Sequence, residues 1–363
     1  MEPDIRIDPE EFDAPWLSQQ LNQAGVARGA TITALDFAGY VGTGQISRNG
    51  RFRLTWTDPV DRPATVIAKL PSADASARAW AFGTGLYANE YTFYRDIVST
   101  VRVQTPQCWV AHYDGVAQRC VLVMEDMARS APGDQFGECS SDQVALVVEQ
   151  AVALHAPRWG DPALAGVLLP PAGYDAGEVM PRFYAAAIEP CLQRLGHGLS
   201  DEVVKLIEQF GAAMGRWSLG TDTPRTIIHG DFRPDNFLFA TDTDSPALAV
   251  VDWQTVGKGC GPTDLAYFIG GAFVPELRRQ VERDLVEVYR QQLNAAGVDY
   301  SPDDCWRDFR WGALHGVVVA MLATMMAAQT ERGDRLFTLM LSRHAQHALD
   351  LDVLGLVDQV RGG

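Results

Sequence analysis

Residues 227–239 read I-I-H-G-D-F-R-P-D-N-F-L-F, with His229, Asp231, Arg233, Asp235 and Asn236 pinned between two apolar runs. Short apolar runs bounded by Gly or Pro predict brief buried strands, so the polar residues between them belong on a loop held rigidly against the interior. A catalytic loop needs that setting, because its side chains must be fixed by the elements around them. Asp231 and Asn236 are five positions apart, and Asp252 follows sixteen positions later at the end of the apolar run L-A-V-V. A hairpin between the runs would bring these three side chains together. Phosphoryl transfer uses such a set: one aspartate orients the attacking hydroxyl and accepts its proton, while an amide oxygen and a second carboxylate hold Mg²⁺ on nucleotide phosphates. The other reading of the same residues is turn chemistry, since Asp and Asn both favour tight turns.

Composition limits the alternatives. The chain has 363 residues, 47% of them apolar, enough for substantial cores and against long disorder. A formal net charge of −16, with no Lys/Arg run, argues against a nucleic-acid partner. An acidic surface favours solubility and could draw in a cationic substrate. The six cysteines are scattered without the close pairing that zinc sites or redox pairs require, and read as reduced and mostly buried. The N-terminus, M-E-P-D-I-R-I-D-P-E-E-F-D, is acidic and unlike a signal peptide. The longest apolar stretch, 316–328, is too short to span a bilayer and reads as a core helix. A cytoplasmic enzyme with no membrane partner is the expectation. No oligomeric state follows from the sequence.

Along the chain, D-A-P-W-L-S-Q-Q-L-N-Q-A (13–24) predicts a short helix capped by Asp13 with Pro15 in its first turn. T-I-T-A-L-D-F-A-G-Y, R-F-R-L-T-W-T and A-T-V-I-A-K-L-P read as strands, the first two separated by the glycine-rich turn G-Y-V-G-T-G-Q-I-S-R-N-G. Between 78 and 97 a helix is expected in the second half, where Tyr87, Tyr91 and Tyr94 recur at helical spacing. Strands follow around 107–112 and 119–124. From Ser141 the pattern is mainly amphipathic helix. The expected fold is therefore α+β and bilobal: a small β-rich lobe over 1–126 and a larger, mainly helical lobe over 127–363.

H-G-D-F-R-P-D-N and V-V-D-W-Q resemble the aminoglycoside phosphotransferase and choline kinase superfamily, whose fold is similar to that of protein kinases. V-I-A-K-L-P, N-E-Y-T-F-Y-R-D, L-V-M-E-D-M, V-A-L-H-A-P-R-W and E-R-G-D-R-L-F-T-L-M-L-S-R-H resemble its ecdysteroid-kinase-like branch, in the same order over nearly the whole chain. The resemblance implies an ATP- and Mg²⁺-dependent kinase acting on a hydroxyl of a small organic molecule. It makes Asp231 the catalytic aspartate and Asn236 and Asp252 the magnesium ligands. Lys69 becomes the lysine on the α- and β-phosphates, with Glu90 as its ion-pair partner; the bland reading is a surface lysine that snorkels. Gly42 and Gly44 fall where a phosphate-covering turn belongs, since glycine lets backbone N–H groups approach phosphate. Ser47 either adds a hydroxyl there or is a plain hairpin serine. M-E-D-M resembles the hinge against which adenine lies, through the carbonyl of Glu125 and the N–H of Met127.

Arg233 admits two readings: neutralising charge in the transition state, or tying the loop to a nearby carboxylate. His229 is expected to be structural, its ring bonding loop backbone, and Asp264 in G-P-T-D-L-A-Y resembles the superfamily's loop-bracing aspartate. Where choline kinases and aminoglycoside enzymes often show D-x-E, this chain has Asp252, Trp253, Gln254, which weakens either specific assignment. Trp159, Tyr174, Phe183, Tyr184 and Trp311 are candidates for the acceptor pocket, with core packing the competing explanation for each. The alternatives carried forward are an antibiotic-modifying O-phosphotransferase and, from another class, an inactive nucleotide-binding relative. A protein kinase is less well matched, because no A-P-E-like anchor follows Asp252.

Overall fold

The Asp13 carboxylate accepts the Trp16 amide at 2.7 Å and Pro15 stands in the first turn, which starts α1 (Ala14–Gln23) where the sequence placed it. The computed structural model describes residues 4–42, 46–167, 169, 176–218, 220–242, 246–326 and 329–361. After α1 come β1 (Ile32–Val41), β2 (Ser47–Trp56), β3 (Thr65–Pro71), α2 (Ala75–Gly83), α3 (Leu86–Thr92), β4 (Cys108–Asp114) and β5 (Arg119–Glu125). The five strands form one antiparallel sheet in the order β1-β2-β3-β5-β4. Strand alternation sorts its side chains. Phe52, Leu54, Val66, Ala68, Leu70, Val121 and Val123 pack with Trp16, Leu17 and Leu21 of α1, whereas Ile67, Leu122 and Met124 join the larger core on the opposite face.

Two expectations are adjusted here. β1 runs to Val41 and β2 begins at Ser47, so both strands extend into the stretch read from the sequence as a glycine-rich turn, and Gly44 lies outside the described residues. The helical stretch is longer than the tyrosine spacing indicated. α2, capped by the Asp74 carboxylate on Ala77 N at 2.8 Å, precedes α3, and a π-helical turn, Phe93–Ile97, follows it.

The second part contains β6 (Ser130–Pro132), α4 (Ser141–His155), α5 (Ala176–Leu195), α6 (Asp201–Ser218), β7 (Thr226–Ile228), β8 (Phe237–Ala240), β9 (Leu248–Val250) and β10 (Gly257–Gly259). It ends with α7 (Pro262–Ala272), α8 (Pro275–Ala295), α9 (Pro302–Gly312), α10 (His315–Met326), α11 (Glu331–Asp350) and α12 (Val353–Arg361). A Ser140–Gln143 capping box starts α4. β8 and β9 form the expected hairpin, Phe237 opposite Val250, and β7 pairs with β10. α7 is buried almost all round, as a helix at the centre of a core must be. α10 contains most of the apolar stretch 316–328, and Val317, Val318, Ala320 and Met321 are buried in the same core. No described helix is long and apolar enough to cross a membrane. A small β-rich lobe and a larger helical lobe thus make up the α+β, bilobal chain.

Candidate active site

The loop between β7 and β8 is fastened from below. Asp264, fully buried in the first turn of α7, accepts the amides of His229 at 2.6 Å and Gly230 at 2.9 Å, and lies 3.2 Å from His155 Nε2. Burial works against charge on this carboxyl, but the hydrogen bonds and the neighbouring histidines bring it below the usual carboxylate range. The His229 ring bonds loop backbone, Nε2 lying 3.0 Å from Val251 O and Nδ1 accepting the Asp231 amide at 3.2 Å, and packs against Trp253 with ring centroids 4.6 Å apart. Gly230 has φ +80°, and a Cβ there would meet Thr255 O at 2.5 Å, so the turn requires glycine. His315 Nε2 approaches Gly230 O at 2.8 Å.

These anchors present Asp231. Its Oδ1 accepts the Tyr267 hydroxyl at 2.9 Å; its Oδ2 accepts Asn236 Nδ2 at 2.8 Å and Arg233 Nε at 3.1 Å. Burial pushes the carboxyl up, but the Arg233 guanidinium and these hydrogen bonds bring it below its ordinary value, so the group is an anion at neutral pH. Arg233 also reaches Asp235 Oδ2 at 2.7 Å, which is the loop-tying geometry of its two readings.

The β8–β9 hairpin carries the next pair. Val251 N donates to Asn236 O at 3.0 Å, keeping the ends of the two strands adjacent. Asn236 is buried and its amide nitrogen is committed to Asp231, which leaves the amide oxygen as the atom suited to a cation. Asp252 has φ 68° and ψ 69°, a left-handed backbone uncommon for a side chain with a Cβ, and its carboxylate is 43% exposed. Lys69, on β3, sets Nζ 2.9 Å from Asp252 Oδ1 and 2.7 Å from Glu90 Oε1 of α3. Burial opposes its charge, yet the two carboxylates outweigh burial and raise its pKa. Glu90 is itself raised, chiefly by burial, and also accepts Trp253 N at 3.2 Å.

Trp253 stacks on Phe93 with ring centroids 3.7 Å apart. Gln254, which replaces the expected second carboxylate, is buried: its Nε2 donates to the Ser47 hydroxyl, and its carbonyl accepts Asn89 Nδ2 at 3.0 Å. Ser47 is therefore a buried partner of Gln254 as well as the first residue after the glycine turn. Gly42 has φ +76°, the conformation for which glycine is suited. Glu125 ends β5, its amide bonded to Gln107 O at 2.8 Å, and Met127 O accepts Ser130 N at 3.0 Å.

Of the aromatic candidates, Tyr184 and Trp311 are core residues, Trp159 is half-buried against Tyr300, Phe183 is half exposed, and Tyr174 lies outside the described residues. Tyr267 was not singled out from the sequence, although its place three residues after Asp264 puts both on one face of α7. His315 carried no signal, because only the packing of α10 brings it to the loop.

Among the described residues no three His, Cys, Asp or Glu side chains converge as a metal site. Asn236 and Asp252, at the adjoining ends of the β8–β9 hairpin, carry hard oxygen donors of the kind that suits a magnesium ion taking most of its ligands from phosphate and water.

The model of the phosphotransferase enzyme family, APH, matches residues 66–303. Among solved structures, choline kinase from Cryptosporidium parvum Iowa II superposes with a TM-score of 0.53 at 10% identity, covering 93% of this chain and 96% of that one. Aminoglycoside 2'-phosphotransferase-IIIa, solved as a GDP complex, gives 0.52 at 13% identity, with 90% and 98% covered. Plasmodium vivax ethanolamine kinase gives 0.50 at 9% identity, with 88% and 81% covered. No curated protein matches. At such identities the likeness is one of fold, the protein-kinase-like fold, whereas the family match spans well over half of the sequence; the chain belongs to the phosphotransferase enzyme family.

Proposed function

We propose that this protein transfers the γ-phosphate of ATP, with Mg²⁺, to a hydroxyl of a small organic molecule. The observation that carries the reading is that two contact sets drawn from four separate elements, Lys69 with Glu90 and Asp252, and Asp231 with Asn236, are tied to each other by the backbone bond from Val251 N to Asn236 O. Asp231 orients the acceptor O–H and takes its proton as the oxygen attacks phosphorus; the bond from phosphorus to the bridging oxygen breaks and ADP leaves. Lys69 holds the α- and β-phosphates, and Glu90 aims it. Asn236 and Asp252 would hold Mg²⁺, which when bound neutralises phosphate charge. Arg233 ties the loop through Asp231 and Asp235, and its guanidinium would at the same time offset negative charge as it develops. Gly42, Gly44 and Ser47 belong to the turn over the phosphates, and Glu125 and Met127 offer backbone groups to the base. In this reading residues 1–126 are the nucleotide-binding lobe and 127–363 the catalytic and acceptor-binding lobe, with β5 ending at Glu125 in support.

Gln254 favours the ecdysteroid-kinase-like branch, because it joins Ser47 instead of adding a carboxylate near the cation. An inactive relative would be expected to lack one of Asp231, Lys69 or Asp252, and all three are present. The test is ATP consumption across alcohols, sterols, nucleosides, sugars and aminoglycosides, repeated with Asp231→Asn on whichever acceptor responds. Turnover should fall by about 10²- to 10⁴-fold with ADP affinity nearly unchanged. A variant with near-native turnover would remove Asp231 from its role.

A further inference from the structure

The motif E-R-G-D-R-L-F-T-L-M-L-S-R-H closes on His344, which has no part in the chemistry above. Its imidazole, buried on α11, stacks on the ring of Tyr267 with centroids 4.9 Å apart and planes 24° from parallel. His315 stands against the same ring at 5.5 Å and 88°. Three glycines make the room that His344 fills. A Cβ on Gly270 would meet its Nδ1 at 2.8 Å, one on Gly271 its Nε2 at 3.2 Å, and one on Gly316 of α10 would overlap the imidazole outright. Walls that close leave the ring little travel. Nδ1 is buried and finds no hydrogen-bond partner among the described residues. An unpaired buried nitrogen carries a cost that an apolar side chain of similar size would not, so filling space is a poor account of a histidine here.

We propose that His344 is a positioning residue of the phosphotransfer site, holding the Tyr267 ring where its hydroxyl reaches Asp231; this rests on the reading of Asp231 given above. The hydroxyl donates to Asp231 Oδ1 at 2.9 Å, while Oδ2 is held by Asn236 and Arg233, so the carboxylate is oriented through both oxygens. A phenol swings about its Cβ, and its oxygen, at the far end of the ring, moves most. A tilt toward α11 would draw that oxygen off the carboxylate, and a hydrogen bond weakens steeply as its distance and angle are lost. The stacked imidazole occupies the space such a tilt needs. Burial, together with the cationic groups nearby, holds His344 well below its ordinary pKa, so the face turned to Tyr267 is that of a neutral ring.

A spectroscopic double-mutant cycle reads the Tyr267–Asp231 bond in the full chain, whether or not an acceptor is known. With tyrosine isotopically labelled at Cζ, the Tyr267 resonance is the one that disappears in Tyr267→Phe. Asp231→Asn should shift it, because the hydroxyl loses its anionic acceptor. The same Asp231→Asn shift should be largely lost when measured within His344→Ala, and again within Gly316→Ala, where the imidazole is kept but displaced. The ring-current change from removing or moving the imidazole is common to both members of each comparison and cancels. Melting curves report folding; if His344→Ala does not fold, Gly316→Ala carries the comparison. A full Asp231→Asn shift in the folded variants overturns the proposal and leaves the phosphotransfer reading standing. Failure of every acceptor to consume ATP with the native chain overturns that reading, and the resonance still decides whether His344 holds Tyr267.

Discussion

The Asp231 carboxylate is kept charged by three side-chain donors: the Arg233 guanidinium and two neutral groups, the Asn236 amide and the Tyr267 hydroxyl. Tyr267→Phe removes that hydroxyl while the ring keeps its stack on His344, 4.9 Å away. The sign follows from the direction of the shift. Asp231 lies below its ordinary value, so the base is unprotonated except on the acid side, and losing a donor to the anion moves its pKa upward. The acid limb of kcat/KM should therefore move to higher pH by about one unit, which corresponds to about 1.4 kcal/mol of lost preference for the anion. Rates at neutral pH should change little. The same depressed pKa contributes folding stability above the unfolded carboxyl value, lost as pH falls through the folded one. An acid limb that does not move in a folded Tyr267→Phe variant would show that the hydroxyl does not tune the base. Tyr267 escaped the sequence reading because a tyrosine on a buried helix looks like core; its hydroxyl acquires meaning only once the loop is seen above it.

At the level of elements, α3 is joined to the segment after Asp252 by Glu90 on Trp253 N, Asn89 on the Gln254 carbonyl, and the Phe93–Trp253 stack just beyond its end. Glu90→Ala tests that joint. Removing one member of a buried pair costs about 3–5 kcal/mol when it strands the other charge. Here Asp252 still holds Lys69, so the cost should be nearer the roughly 1.5–3 kcal/mol of lost hydrogen bonds to a charged group, measured by urea unfolding. Turnover should fall more steeply, because Lys69 is no longer aimed. Lys69→Met is the converse: it strands Glu90, whose carboxyl burial already pushes above its ordinary value. A cost for Glu90→Ala below about 0.5 kcal/mol, typical of surface substitutions, would mean the pair does not couple these elements. The strands were legible because alternation over Phe52, Leu54 and Trp56, or Val66, Ala68 and Leu70, states which face is buried. α2 was not: A-S-A-R-A-W-A-F-G buries only Ala81 and Phe82, leaves Trp80 exposed and shows no apolar stripe, so the Asp74 cap was its only local sign.

For the whole molecule, the candidate catalytic loop was legible because its residues lie within one short stretch, while candidates for an acceptor pocket were not, because an aromatic residue on a helix reads the same in sequence whether it lines a pocket or fills the core. Tyr184 and Trp311 illustrate this: both are aromatic, and both are consumed by the core. The candidate metal ligands lie between these cases, since Asn236 and Asp252 flank the ends of a hairpin the sequence shows, whereas the contact of Asp252 with Lys69 joins the two halves of the chain. That contact makes ligand-linked stability a test of the assembled site. Ligand at 100 times its dissociation constant should stabilise the chain by about 2.7 kcal/mol, so Mg²⁺ with ADP should raise the melting temperature more than ADP alone. Asp252→Asn is the informative variant, because asparagine tolerates the left-handed backbone at φ 68° and keeps the side-chain shape while losing the charge. Lys69 retains Glu90 in that variant, so the unliganded melting temperature should stay close to native. The Mg²⁺-dependent increment should vanish and the smaller ADP-alone increment persist. An Asp252→Asn chain that keeps the full Mg²⁺-dependent rise would remove Asp252 from the cation site, because a neutral amide oxygen is a much weaker magnesium ligand than the carboxylate it replaces.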